Sequence, residues 1–418
     1  MEDVLRGSAD YYKMLINHDL YQHRRRFLAQ GDMYSFAKGN DTIQYLHGLY
    51  YAQISLGTPS QIFLVMLDTG SPLFWVPCNC RQCAPNTSPS YGNITFHNYM
   101  PNTSSTSKTI TCASSQCDKR YRNVCLNSTS DCSYSVHCGE IQTGAFLSDV
   151  PNGLMGLGLD SSSVPTILAK NGSVSDSFSM CFGDDGNGRL NFGDKGNPGQ
   201  SQTPLVIQNG YPFYNINITA TLVGNKTIKA EFTALVDSGT NFELLEDPLY
   251  TQFTSAFSAQ IEDNRITASN VPLDYCFEIN SENASYPSTS FTTKSGSQFP
   301  WLEPIVYLTD QNSNPVGYCL AVVKSTDGNV FGALAMTGLN VVFDREKLIL
   351  GWQEADCYGS FKNGTIKPDF TNSSPPPQAP SPPARAPLQS WAPRVNSSNI
   401  LNILIYLFMM GFQFVLID

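Results

Sequence analysis

Asp68-Thr69-Gly70-Ser71 and Asp237-Ser238-Gly239-Thr240 lie 169 residues apart in the chain. Each closes an apolar run, Phe63-Leu64-Val65-Met66-Leu67 in the first case and Ala234-Leu235-Val236 in the second. An aspartate at the end of a buried strand is costly to ionise unless hydrogen bonds or a neighbouring group compensate it. Two such aspartates brought face to face cannot both ionise, so they share one proton and titrate as a pair. The ionised member then acts as general base on a water held between them. The protonated member donates to the carbonyl oxygen under attack, and the roles reverse afterwards. The neighbouring residues suit that chemistry. Gly70 and Gly239 permit a sharp turn whose N–H groups point at the carboxylates. Ser71 and Thr240 are placed to bond the outer carboxylate oxygens, while Thr69 and Ser238 brace the two turns, each from within its own lobe. Two unrelated Asp-x-Gly turns at strand ends would account for the glycines. They would not account for the matched apolar leaders.

The elements that must position these residues repeat with them. A hydrophobic-hydrophobic-Gly element follows each Asp string, ending at Gly156 and Gly332, at intervals of 88 and 95 residues. The chain therefore carries a degenerate internal repeat. Its 418 residues, 41% hydrophobic with 31 Gly and 26 Pro, suffice for two β-rich domains. Helical signals are few, the best lying around Asp247–Ala259. A net charge of −10 argues against nucleic acid as a partner. With five His and no His-x-x-x-His pattern, a metal-dependent hydrolase has little to build on. No phosphate-binding glycine loop is present, and the paired-carboxylate chemistry requires neither metal nor organic cofactor.

At this point the chain resembles the pepsin-like aspartic proteases, and within them the plant nepenthesin-like, glycolipid-anchored branch. The resemblance covers roughly residues 45 to 357. Besides the Asp strings it rests on Tyr51-Ala52-Gln53-Ile54-Ser55-Leu56-Gly57-Thr58-Pro59 and Phe74-Trp75-Val76-Pro77-Cys78. It also rests on Leu154-Met155-Gly156-Leu157-Gly158, Phe178-Ser179-Met180-Cys181-Phe182-Gly183 and Val342-Phe343-Asp344-Arg345-Glu346. The fold it implies is mainly β: two β-rich lobes with the cleft between them and one Asp from each lobe. The implied division is a pro-segment remnant at 1–44, an N-terminal lobe at 45–205 with a Cys-rich insert at 78–138, and a C-terminal lobe at 206–360. A Pro-rich linker at 361–399 and a hydrophobic tail at 400–418 follow.

Eight of the twelve Cys fall between Cys78 and Cys138. Cys78-x-Cys80-x-x-Cys83 could bind zinc, but the even cysteine count and twelve Asn-x-Ser/Thr sequons, Asn86, Asn102 and Asn217 among them, favour disulfides in an oxidising secretory compartment. By position, the remaining four Cys pair as Cys276–Cys319 and Cys181–Cys357. Met1-Glu2-Asp3-Val4 opens no hydrophobic core of the kind a signal peptide needs, so the signal is expected to be missing upstream of 1–44. Residues 375–393 hold eight Pro and are expected to be an extended linker. The apolar tail Ile400–Ile417 suits either a glycolipid-anchor signal or a short terminal transmembrane helix. Both readings place a monomeric glycoprotein at the cell surface.

The chain departs from the family between Tyr134 and Gly144. Cys132-Ser133-Tyr134-Ser135-Val136 runs straight into His137-Cys138-Gly139, which fits the loss of about forty residues near 136–137. The lost stretch includes the β-hairpin flap that covers the cleft in the family. The resemblance makes Trp75 the former hydrogen-bond partner of a flap tyrosine. Asn241 stands where the family usually has Ser or Thr. Without a lid that excludes water and binds the substrate backbone as an added strand, turnover is expected to be poor. The expected function is an aspartic endopeptidase acting on polypeptides at acidic pH, with Asp68 and Asp237 as the dyad. The alternatives are a catalytically weak or inactive binding or inhibitor protein on a protease scaffold, and a truncated splice or gene-model form.

Overall fold

The computed structural model describes residues 43–46, 49–86, 97–107, 111–113, 138–142, 153–183, 187–208, 211–268, 271–279, 284–310 and 314–357. The pro-segment remnant up to residue 42, the 136–137 junction, the Pro-rich linker and the hydrophobic tail lie outside these residues, while Ile43–Leu46, across the expected 44/45 boundary, is a strand paired with Leu49–Leu56. Among the described residues no helix is long and apolar enough to cross a membrane.

Each Asp string leaves an interior strand. Gln61–Asp68 is buried along its last six residues, as a strand covered on both faces must be. It pairs antiparallel with Leu49–Leu56, Tyr51 opposite Met66, and parallel with Leu154–Gly156, Asp68 opposite Gly156. Lys226–Val236 starts exposed and ends with Ala234, Leu235 and Val236 buried. It pairs antiparallel with Tyr211–Val223, Asn215 opposite Leu235, and parallel with Asn329–Phe331, Val236 opposite Phe331. The internal repeat is therefore a repeated wiring: an Asp-bearing strand flanked by one antiparallel neighbour and one parallel neighbour that ends in glycine or is followed directly by it.

The parallel neighbours explain those glycines. A Cβ on Gly156 would lie 2.3 Å from the backbone of Pro72 and Leu73, and one on Gly332 would lie 2.5 Å from the Phe242 carbonyl oxygen. No side chain fits at either place, because the chain beyond each Asp turn crosses directly over it.

Among the described residues, two large sheets carry this arrangement. One of nine strands runs from Leu154–Gly156 through Gln61–Asp68 to Ser201–Pro204 at its far edge. One of eight strands holds Lys226–Val236 at its centre. The nine-stranded sheet also contains Leu339–Asp344 and Ile349–Glu354, with Phe343 opposite Phe178. Strands that chain order assigns to the second lobe thus complete the sheet of the first, so hydrogen bonding does not divide at 205/206. Phe178 and Phe343 stack at 4.7 Å, and Tyr214 packs on Phe343 at 4.7 Å, closing the core beneath both Asp turns.

The expected helix is present as Leu249–Ser258. Leu249, Phe253 and Phe257 recur every fourth residue and form its buried stripe, with Phe253 stacked 5.9 Å from Trp301. A second helix, Val164–Lys170, has no matching expectation from sequence. Its seven residues are too few to show helical periodicity. Cys181–Cys357 and Cys276–Cys319 are bonded as their positions suggest. Cys80 and Cys83 are bonded to each other, which removes both as zinc ligands.

Candidate active site

Asp68 and Asp237 are 1% and 0% exposed. Each is held by its own turn in the same way. The Gly70 N–H donates to Asp68 Oδ1 at 2.8 Å and Ser71 Oγ donates to Oδ2 at 2.5 Å. The Gly239 N–H donates to Asp237 Oδ1 at 3.0 Å and Thr240 Oγ1 donates to Oδ2 at 2.5 Å. Two donors on each carboxyl offset much of the desolvation cost of burial. These are the local bonds that residue type and spacing imply, two and three residues from each aspartate.

Thr69 and Ser238 act differently from the expectation. They do not brace each turn from within its own lobe; they bind the two turns to each other. The Thr69 N–H donates to Ser238 Oγ at 3.1 Å, and the Ser238 N–H donates to Thr69 Oγ1 at 2.9 Å. Each hydroxyl then donates to the carbonyl that precedes the opposite aspartate. Thr69 Oγ1 reaches Val236 O at 2.9 Å, and Ser238 Oγ reaches Leu67 O at 2.8 Å. All four bonds are buried, and they pair by a near two-fold exchange. The physical reason is that a strand-end hydroxyl with no water to bond must find a backbone group, and the nearest lies on the facing strand end.

The glycine elements hold the turns from behind. The Leu157 N–H donates to Asp68 O at 2.8 Å and the Gly158 N–H to Ser71 O at 3.0 Å. On the other side the Ala333 N–H donates to Thr240 O at 2.7 Å and the Asp237 N–H to Phe331 O at 2.9 Å.

Trp75 is 2% exposed, and its backbone exchanges two 2.9 Å bonds with Leu154. Its ring lies against Gly139, where a Cβ would come within 2.7 Å of it. The strand that follows, Val76–Gln82, pairs parallel with Cys138–Ile141, Val76 opposite Cys138. The chain just past the 136–137 junction is therefore docked beside the tryptophan. The expected loss of a flap partner for Trp75 concerns the 136–137 junction, which lies outside the described residues.

Three residues escape the sequence reading. Tyr214 donates from its hydroxyl to Leu157 O at 2.6 Å. Glu243 is fully buried, and its Oε1 accepts the Gly332 N–H at 3.1 Å. It lies 169 residues after Phe74, the same offset that separates the aspartates, so overlaying the two repeats would have shown a carboxyl standing in an apolar position. Arg345 is buried and donates to Ser163 Oγ at 3.1 Å and Thr166 Oγ1 at 2.5 Å, pairing with Asp176 at 3.4 Å. It thereby ties down the helix Val164–Lys170, which follows Gly158. Among the described residues no cluster of His, Cys, Asp and Glu could hold a metal ion.

The family model for eukaryotic aspartyl protease matches residues 49–355. The chain is 38% identical to Aspartyl protease family protein 1 of Arabidopsis thaliana, over 94% of this chain and 83% of that protein. It is 24% identical to Aspartic proteinase nepenthesin-1 of Nepenthes gracilis, over 86% of this chain and 90% of that protein. Among solved structures it is similar to conglutin gamma, a basic 7S globulin from lupine seeds. That likeness has a TM-score of 0.57 and 19% identity, and it covers 75% of this chain and 94% of the globulin; it shows the fold alone. The alignment with the first Arabidopsis protein spans 437 positions, whereas 94% of 418 residues is about 393. That relative therefore carries roughly 44 positions with no counterpart in this chain. Mainly β, with two Asp turns clasped across a two-fold exchange, the chain belongs to the eukaryotic aspartyl protease family and has its pepsin-like bilobal fold.

Proposed function

We propose that the chain is an aspartic endopeptidase that hydrolyses peptide bonds in polypeptides at acidic pH, with Asp68 and Asp237 as its dyad. The observation that carries this reading is the reciprocal clasp of the two Asp turns, which joins two buried carboxyl groups at the facing ends of two strands. In the proposed reaction the ionised aspartate takes a proton from a water as the water oxygen attacks the peptide carbon. The protonated aspartate donates to the carbonyl oxygen, and the tetrahedral intermediate collapses as the leaving nitrogen receives a proton from the dyad. Ser71 and Thr240 hold the outer oxygens so that the inner ones face the water. No metal or organic cofactor has a part in these steps. The disulfides and sequons support a secretory route. The apolar tail supports attachment at the cell surface, through a glycolipid or a short span, and the proposed state is a monomer.

A second reading, a weakly active or inactive scaffold that binds other molecules, is favoured by the roughly 44 positions of the first Arabidopsis relative that have no counterpart in this chain. We place that gap at the flap, between Val136 and His137. A flap contributes interactions that strengthen as the transition state forms. Inserting a family flap between Val136 and His137 should therefore raise cleavage of a fluorogenic peptide at acidic pH by at least about tenfold, some 1.4 kcal/mol of barrier. Equal activity in both forms would show that the gap is not the defect. Cleavage by neither would put the scaffold reading first.

A further inference from the structure

The reciprocal clasp joins the Asp turns at their strand ends, but it leaves the chain behind Asp68 to be fixed by something else. That chain is Leu154–Gly158, whose Leu157 N–H holds the Asp68 carbonyl at 2.8 Å. The Leu157 carbonyl accepts a 2.6 Å bond from the Tyr214 hydroxyl, which comes from the other half of the molecule. Tyr214 stands one residue before Asn215, which pairs with Leu235, so it lies level with Val236 and directly beside the strand end that carries Asp237. Tyr214 and Leu157 are both 0% exposed. The ring is fixed by Phe343 at 4.7 Å and by Phe178 at 6.1 Å, nearly edge-on. Burial pushes the Tyr214 hydroxyl well above its ordinary range, with the nearby Arg345 charge opposing the shift. The group therefore stays a donor throughout acidic and neutral pH.

We propose that Tyr214 is a positioning residue for the dyad: its hydroxyl sets the seat of the Asp68 turn relative to Asp237 through the relay Tyr214–Leu157–Asp68. The proposal rests on the endopeptidase reading for its catalytic consequence, while the strut itself is testable without activity. A peptide N–H that holds a turn carbonyl is placed only as well as its own peptide plane. The Leu157 carbonyl lies in the next peptide plane, shared with the Gly158 N–H that holds Ser71 O at 3.0 Å. The Tyr214 bond fixes that plane directly and, through the Leu157 Cα, steadies the one whose N–H holds Asp68 O. Without it both planes can tilt, and a displacement of well under an ångström at a reacting group is enough to lower turnover.

Tyr214→Phe in the full chain keeps the ring and removes only the donor. Phe343→Leu loosens the same aromatic packing and keeps the donor, so it reports a purely structural contribution. The first readout is amide exchange by mass spectrometry. In Tyr214→Phe, peptides covering 66–72 and 153–158 should exchange at least about tenfold faster, with the 289–301 hairpin unchanged. Phe343→Leu should lower the melting temperature without that local signature. The second readout, in whichever form cleaves the fluorogenic peptide, is a kcat about tenfold lower in Tyr214→Phe with KM within about twofold. Local loosening in a chain that never cleaves peptide would support the strut and count against the endopeptidase reading alone. Unchanged exchange at both turns, the same loosening in Phe343→Leu, or an unchanged kcat would overturn the proposal.

Discussion

Ser238 takes part in all but one of the four bonds that join the Asp turns, and its hydroxyl in two, donating to Leu67 O and accepting from the Thr69 N–H. Ser238→Ala strands that buried N–H and that buried carbonyl. Each unpaired group costs on the order of 1–3 kcal/mol, so a loss of about 2–6 kcal/mol is expected in denaturant unfolding. Thr69→Val should cost a similar amount, and the double variant clearly less than the two added together, because both act on one network. Additive losses would mean that the hydroxyls work separately. This network also marks the limit of what residue type and spacing reveal. The bonds from Gly70, Ser71, Gly239 and Thr240 join residues two or three apart and follow from local geometry. The clasp joins residues 169 apart and depends on where the facing strand ends. Glu243 was within reach of the internal repeat. Tyr214 was not, because nothing in Phe213-Tyr214-Asn215-Ile216 separates it from an ordinary strand tyrosine.

At the scale of elements, the glycine at the end of each parallel neighbour is the most constrained position. Gly332→Ala brings a methyl carbon to about the 2.5 Å approach to Phe242 O, with the Asn241 carbonyl oxygen at 2.7 Å. Both obstacles are backbone, so the strand Asn329–Phe331 must shift, at a cost of about 1–3 kcal/mol or more. Since Gly332 also donates to Glu243, the variant should lose activity beyond what its melting temperature explains. A normally stable Gly332→Ala protein would contradict the close crossing. The Asp-bearing strands were legible from their apolar runs, and Leu249–Ser258 from its fourfold apolar spacing. Val164–Lys170 was not, since it is too short for periodicity and is held by Arg345 from 182 residues away at Ser163. Strand partners reached across the chain were equally hidden, because sequence fixes which residues face inward but not which strand lies alongside.

At the scale of the whole molecule, the two halves are not separable bodies. Leu339–Asp344 and Ile349–Glu354 belong to the sheet of the first Asp, and Cys181–Cys357 crosses the same junction. Three tyrosines in this framework, Tyr214, Tyr250 and Tyr318, are pushed above their ordinary value of 10.0, chiefly by burial. A folded state that holds these protons more tightly than the unfolded chain keeps their full contribution below about pH 10. That contribution declines as the pH rises from there toward the folded values. Stability against urea should thus be level on this account between neutral pH and about pH 10 and fall above it. A decline that Tyr250→Phe and Tyr318→Phe leave unchanged would point to other groups.

The central claim, that Asp68 and Asp237 form one working pair, is tested most directly by replacing each with asparagine. The measurement is cleavage of a fluorogenic peptide at acidic and neutral pH, made in the flap-bearing form so that turnover is readable. Asp68→Asn and Asp237→Asn should each lower kcat by on the order of 10²–10⁴-fold. Full activity in either variant would contradict it.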